Sequence, residues 1–168
     1  MRYFIIGFKS SGKTTTGRKL ARKLGMDFID LDDHIEQMTS RSVPEIFSTE
    51  GETEFRNLEW KALKDVVNRD NIIVSTGGGV PCHCDNINLM EKYGEIIYLR
   101  LNNDILVSRL EKAASDRPIV KNKTRGDLYR YIVDLKNKCE HHYMRARYII
   151  DGESLKIDKL VETLNRKD

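Results

Sequence analysis

Short apolar runs alternate with stretches of helical period along the chain. Tyr3-Phe4-Ile5-Ile6 has no polar break and predicts a strand buried on both faces. Thr15 to Leu24 follows with Leu20, Ala21 and Leu24 on one face of a helix. Phe28-Ile29-Asp30-Leu31 predicts a short second strand. Residues 33–38 and 43–49 predict short helices, the second opened by Ser42 with Glu45 three residues on as its capping partner. Glu52 to Asn68 is a longer helix, and Ile72-Ile73-Val74 a strand that runs out at Ser75-Thr76-Gly77-Gly78-Gly79. Beyond it come a helix from Asp85, as cap, to Tyr93, a strand from Glu95 to Leu101 and a helix from Asp104 to Ala114. A polar loop over 115–126, a helix from Asp127 to Arg145, a strand from Arg147 to Ile150 and a helix from Ser154 to Asn165 complete the chain. Strands separated by helices predict an α/β fold, a parallel sheet between two helical layers. Ligands in such sheets bind beyond the carboxyl ends of the strands, which selects the loops to inspect.

Composition changes this picture little. The 168 residues fit one domain, and no repeat, low-complexity stretch or Pro/Gly-rich linker divides residues 1–168. With 39% hydrophobic and 33% charged residues the chain is globular in type, and no apolar run reaches membrane length. Met1 leads straight into the first strand, which leaves no room for a signal peptide. Cys82, Cys84 and Cys139 are too few, and odd in number, for a disulfide framework, so a reducing, cytoplasmic setting is expected. A net charge of +3 is too weak to imply nucleic acid and suits an anionic small substrate.

The chemistry begins after the first strand. Gly7-Phe8-Lys9-Ser10-Ser11-Gly12-Lys13-Thr14 fits G-x-x-x-x-G-K-[ST] between a strand and a helix, the setting of a phosphate-binding loop. Gly7 and Gly12 permit the backbone conformations the loop needs, and Ser10, Ser11 and Thr15 belong to the same cradle. Lys13 would reach the β- and γ-phosphates of ATP, and the Thr14 hydroxyl would bind Mg²⁺. Asp30 and Asp32 at the end of the second strand share a face by the period of two. One would hold the metal and the other accept a proton from an attacking hydroxyl. The alternative is a helix cap by Asp32 or Asp33, of which Asp33 is the better placed. No apolar run ends in the usual second metal-binding Asp, since Ser75 stands there, so metal binding rests on Thr14 and Asp30.

Four further features carry weaker signals. Gly77-Gly78-Gly79 offers a bare backbone wall to a substrate, or a flexible turn. Arg56 would clamp a carboxylate, or pair with Glu52 or Glu59 on its own helix. Arg117 in Asp116-Arg117-Pro118 suits a lid over the phosphates, or a solvated loop. Cys82-His83-Cys84 and Cys139-Glu140-His141-His142 have poor zinc spacing, and Cys82 reads better as packing.

Taken together and in order, these residues resemble shikimate kinase, a family of the nucleoside-monophosphate-kinase-like P-loop NTPases. The phosphate loop, Asp30-Leu31-Asp32, Glu54-Phe55-Arg56 with Glu59, Thr76 to Gly79 and Arg117-Pro118 stand at family-like spacings, as do Ile35-Glu36, Ile46-Phe47 and Glu50-Gly51-Glu52. The resemblance implies a five-stranded parallel sheet, a substrate-binding segment over about 31–60 and a lid over about 113–126. It implies phosphoryl transfer from ATP to the 3-hydroxyl of shikimate by a monomer. Asp32 would contact substrate hydroxyls and act as base, Asp30 would hold the magnesium shell, and Arg56 would bind the carboxylate. Gly77, Gly78 and Gly79 would wall the ring, Arg117 would be the lid arginine, and Arg109 would stack on adenine. One departure stands out. The family carries Arg-x-Pro-[LF]-Tyr after the lid; alignment on Tyr143 and Ala146 puts Cys139 at the Arg and His141 at the Pro. Either another cation such as neighbouring Lys138 compensates for Cys139, or the acceptor is a different small hydroxy acid, or the chain binds ATP without transferring phosphate.

Overall fold

The computed structural model describes residues 1–112 and 124–166. In chain order they form β1 (Arg2–Ile6), α1 (Lys13–Leu24), β2 (Asp27–Asp30), α2 (Leu31–Thr39), α3 (Val43–Val66) and β3 (Ile72–Ser75). A 3-10 turn (Val80–Cys82) leads to α4 (Asn86–Tyr93), β4 (Glu95–Arg100), α5 (Asn103–Lys112), α6 (Arg125–Tyr143), β5 (Tyr148–Asp151) and α7 (Ile157–Asn165). The five strands lie in the order β2-β3-β1-β4-β5, and every pairing is parallel.

The unbroken apolar runs have their reason in the layers. On β1, Phe4 and Ile6 pack into a cluster with Leu31, Leu63, Met90 and Tyr143, while Tyr3 and Ile5 face Leu20, Leu160 and Leu164 across the sheet. β3 and β4 divide the same way, Val74 and Tyr98 to the first face and Ile73 and Leu99 to the second. Period-two alternation on a doubly covered strand therefore sorts apolar residues between two cores rather than between core and water. The predicted break between residues 49 and 52 is a bend at Gly51 (φ 79°) inside α3. Ser42 accepts from the Glu45 N–H (3.3 Å) at its start.

The local expectations around β2 need correction. Asp32 does not lie on the strand: β2 ends at Asp30, whose side chain accepts from the Asp32 N–H (3.1 Å) and so caps α2. The cap is thus Asp30, not Asp33, which pairs with Arg18 at the surface (3.6 Å). Asp85 precedes α4 and its carbonyl accepts from the Leu89 N–H (3.0 Å), but its side chain makes no capping bond.

The largest departure is in the cysteines. Cys82, on the 3-10 turn, and Cys139, on α6, form a disulfide with Cα atoms 5.4 Å apart across 57 residues of sequence. An odd count argues against a framework but not against one pair brought together by the packing of α6 on the turn. Cys84 is free and exposed. The described residues hold no cluster of three His, Cys, Asp or Glu arranged for a metal, so the Cys/His segments form no zinc site there. No described helix is long and apolar enough to cross a membrane.

Candidate active site

The phosphate loop leaves β1, which β3 and β4 flank on either side. Gly7 has φ 146°, and a Cβ there would stand 2.6 Å from the Leu99 carbonyl, so no side chain fits. The Ser11 N–H bonds the Phe8 carbonyl (3.1 Å) and closes the loop. Phe8 anchors it, buried among Leu101, Leu106, Val107, Leu110, Leu128 and Ile132 of the α5–α6 side. Arg109 donates to the Ser10 (3.2 Å) and Ser11 (2.9 Å) carbonyls, which places its guanidinium on the loop backbone. Two polar features of this loop lack protein partners among the described residues. The Gly12 cap supplies no side-chain acceptor and the first turn of α1 holds no acid, so the helix N-terminus is left for an anion. The Ser11 hydroxyl is buried with no partner among the described residues.

Lys13 is only 8% exposed and donates to the Gly7 (3.0 Å) and Phe8 (2.9 Å) carbonyls. Burial lowers its pKa to about 8, against the opposing pull of Asp32 and Asp30. Thr14 donates to Asp30 Oδ2 (2.6 Å), while the exposed Thr15 completes the turn. Asp30 therefore works twice, one oxygen capping α2 and the other meeting Thr14. A hydroxyl and a carboxylate so close are hard oxygen donors of the kind Mg²⁺ takes alongside phosphate oxygens and water.

The second half of the site faces the loop. Asp32 has one carboxylate oxygen buried without a partner. Burial first, and the Asp30 charge second, raise its pKa, opposed by Lys13. It lies against the glycine wall: a Cβ on Gly77 would stand 3.0 Å from Glu59 Oε1 and 3.2 Å from Asp32 Oδ1. Arg56 bonds Glu59 (2.6 Å) and Glu52 (3.1 Å), so both helical partnerships form. The guanidinium also lies close to Gly79, where a Cβ would come within 2.7 Å of Nη1 and displace the end of the Arg56 side chain. Gly78 packs on the phosphate loop, 3.1 Å separating its ideal Cβ from the Lys9 nitrogen. Its carbonyl accepts from the Tyr143 hydroxyl (2.6 Å) on α6. That bond spans 65 residues, and no sequence signal announces it.

Glu59 is 1% exposed, and burial outweighs the Arg56 pairing to raise its pKa to about 7. The folded protein thus holds a proton where the unfolded chain, near 4.5, has released it. The corresponding stability is present below that value and lost as pH rises toward 7. Denaturant titrations should show unfolding free energy declining over this range, and Glu59→Gln should flatten the decline. An unchanged slope would remove burial of Glu59 as its cause.

At the far end the expected carboxylate-binding residues divide. Cys139 is buried and committed to the disulfide. Lys138 is exposed, about 100° round the helix from Cys139, and is not brought into the site. Arg117, and most of the expected lid, lie outside the described residues.

A family model described as shikimate kinase matches residues 9–167. The shikimate kinase of Bacteroides thetaiotaomicron is 39% identical over 155 residues, 92% of this chain and 89% of the relative. A crystal structure of shikimate kinase from Bacteroides thetaiotaomicron superposes with a TM-score of 0.92 at 37% identity, covering 98% of each chain. Shikimate kinase from Acinetobacter baumannii, solved in complex with shikimate, superposes with a TM-score of 0.85 at 28% identity over 97% of this chain and 89% of that one. With its phosphate loop, paired aspartates and glycine wall in the arrangement described, the chain belongs to the shikimate kinase family.

Proposed function

We propose that this protein transfers the γ-phosphoryl group of ATP to the 3-hydroxyl of shikimate, and that Asp32 takes the proton. The observation that carries this is the buried, unpartnered Asp32 oxygen between the glycine wall and the phosphate loop. A buried acceptor without a donor is unfavourable, and a substrate hydroxyl supplies the missing donor. The bond formed joins the shikimate 3-oxygen to the γ-phosphorus, the bond broken joins that phosphorus to the β,γ-bridging oxygen, and the hydroxyl proton passes to Asp32. The raised pKa of Asp32 makes it a better proton acceptor than an ordinary aspartate.

The other groups position charge. The α1 N-terminus, the loop amides of Gly7 to Thr15 and the Ser11 hydroxyl receive the phosphates. Lys13 leaves its two carbonyl partners for the β- and γ-oxygens, whose negative charge favours the protonated amine against the burial that lowers its pKa. Arg109 braces the loop through the Ser10 and Ser11 carbonyls. Thr14 and Asp30 fit Mg²⁺, which when bound offsets charge on the phosphate oxygens. Arg56 meets the shikimate carboxylate, Glu59 fixes the guanidinium, and Gly77, Gly78 and Gly79 wall the ring. Arg117 is assigned to the lid by resemblance.

A coupled assay of ADP release tests the proposal. Release should require shikimate, yield a phosphorylated shikimate by mass, and vanish in Lys13→Ala. No shikimate-dependent ADP release by the native protein overturns it.

A further inference from the structure

Shikimate carries a ring carboxylate, and the charge that Arg56 offers it is already offset. Glu59 lies 2.6 Å and Glu52 3.1 Å from that guanidinium, so the cluster of three has no surplus of positive charge. A second cation is needed to hold an anion there. Cys139 is neutral in its disulfide and Lys138 lies on another face of α6.

Three imidazoles stand at this end, of which His141 is exposed and packs its ring on that of His142 (3.9 Å). His83 follows Cys82 out of the 3-10 turn, and His142 lies one helical turn beyond Cys139 on α6. The disulfide ties the turn that leads into His83 to the helix that carries His142. His83 is half-buried and lies within electrostatic reach of Arg56 and Glu52 on α3. His142 lies within reach of His83 from the other side, with His141 and Arg145 on its own helix as its remaining charged neighbours. His142 Nδ1 is buried and has no hydrogen-bond partner among the described residues.

We propose that His83, supported from behind by His142, is the second cation for the carboxylate of the acceptor, opposite Arg56. Burial, then neighbouring positive charge, keeps both rings below their ordinary pKa before the acceptor binds. Arrival of a carboxylate reverses the balance at His83: the anion favours the protonated ring, so a proton is taken up with the acceptor. Affinity gained this way is present at low pH and is lost as pH rises through the pKa of His83 in the complex.

The inference rests on shikimate being the acceptor, and steady-state kinetics with shikimate and its methyl ester separate the two ideas. His83→Gln should raise KM for shikimate by about tenfold or more, the worth of one charge-assisted hydrogen bond. It should leave kcat and KM for ATP within about twofold and narrow the preference for acid over ester. His83→Lys should restore both KM and preference, and should abolish the loss of affinity as pH rises through neutrality. His142→Gln should give a smaller rise in KM. A KM and acid/ester preference in His83→Gln equal to those of the native enzyme overturn the assignment. So does an effect seen only in His142→Gln. Native protein that turns over neither compound overturns the acceptor reading itself, and the inference falls with it.

Discussion

Replacing Asp32 with asparagine lowers kcat by about two to four decades while ATP still binds, the usual range for loss of a positioned general base. The amide is nearly isosteric and removes a buried charge whose exposed form is preferred, so the fold survives with an unchanged or slightly raised thermal midpoint. The pH profile gives a sharper reading than the rate alone. Because the Asp32 pKa is raised, kcat/KM for shikimate in the native enzyme should fall on the acid side at a pH above the ordinary carboxylate range. That limb should vanish in Asp32→Asn. Turnover within about tenfold of native would leave positioning and charge stabilisation as the whole of catalysis, and Asp32 without its assigned role.

Breaking the bond between Cys82 and Cys139 destabilises the protein by about 4 kcal/mol, from the entropy of closing a loop of 57 residues in the unfolded chain. For a chain of this size that corresponds to roughly 8–16 °C in thermal midpoint. Cys82→Ser/Cys139→Ser, or incubation with a dithiol, should show it, and the single variant Cys84→Ser should not. The effect should reach the acceptor as well. The 3-10 turn continues from Gly79, on which Arg56 lies, so KM for shikimate should rise more than KM for ATP. A loss below about 1 kcal/mol would mean that the unfolded chain is not restrained by the cross-link.

The two halves of the site differ in how far the sequence discloses them, and the difference is physical. The donor half is local. Gly7 to Thr15 is one stretch whose flanking strand and helix are visible in its neighbours, and the structure builds it as the spacing predicts. The layers were readable for the same reason, since strands buried on both faces leave unbroken apolar runs. The acceptor half is not local. Period-two reasoning put Asp32 on a strand because it did not foresee that Asp30 would cap the next helix and turn the chain. Counting cysteines missed a pair that only the packing of α6 against a short turn brings together. The Tyr143 bond to Gly78, and the convergence of His83 with Arg56 and His142, likewise join segments that sequence spacing treats as strangers. The bonds of Arg109 to the loop carbonyls depend on where α5 lies and leave its assignment to adenine a matter of resemblance.

The glycine wall and the turn that follows it are fastened from outside, by Arg56 on α3, by the Tyr143 hydroxyl and by the sulfur of Cys139. This has an evolutionary meaning. The phosphate loop is a single stretch of nine residues, Gly7 to Thr15. A pocket whose shape is set by fasteners on distant helices can be altered one fastener at a time, with the phosphoryl donor left untouched. Position 139 is such a place, where the fastener is a covalent bond from a distant helix to the turn.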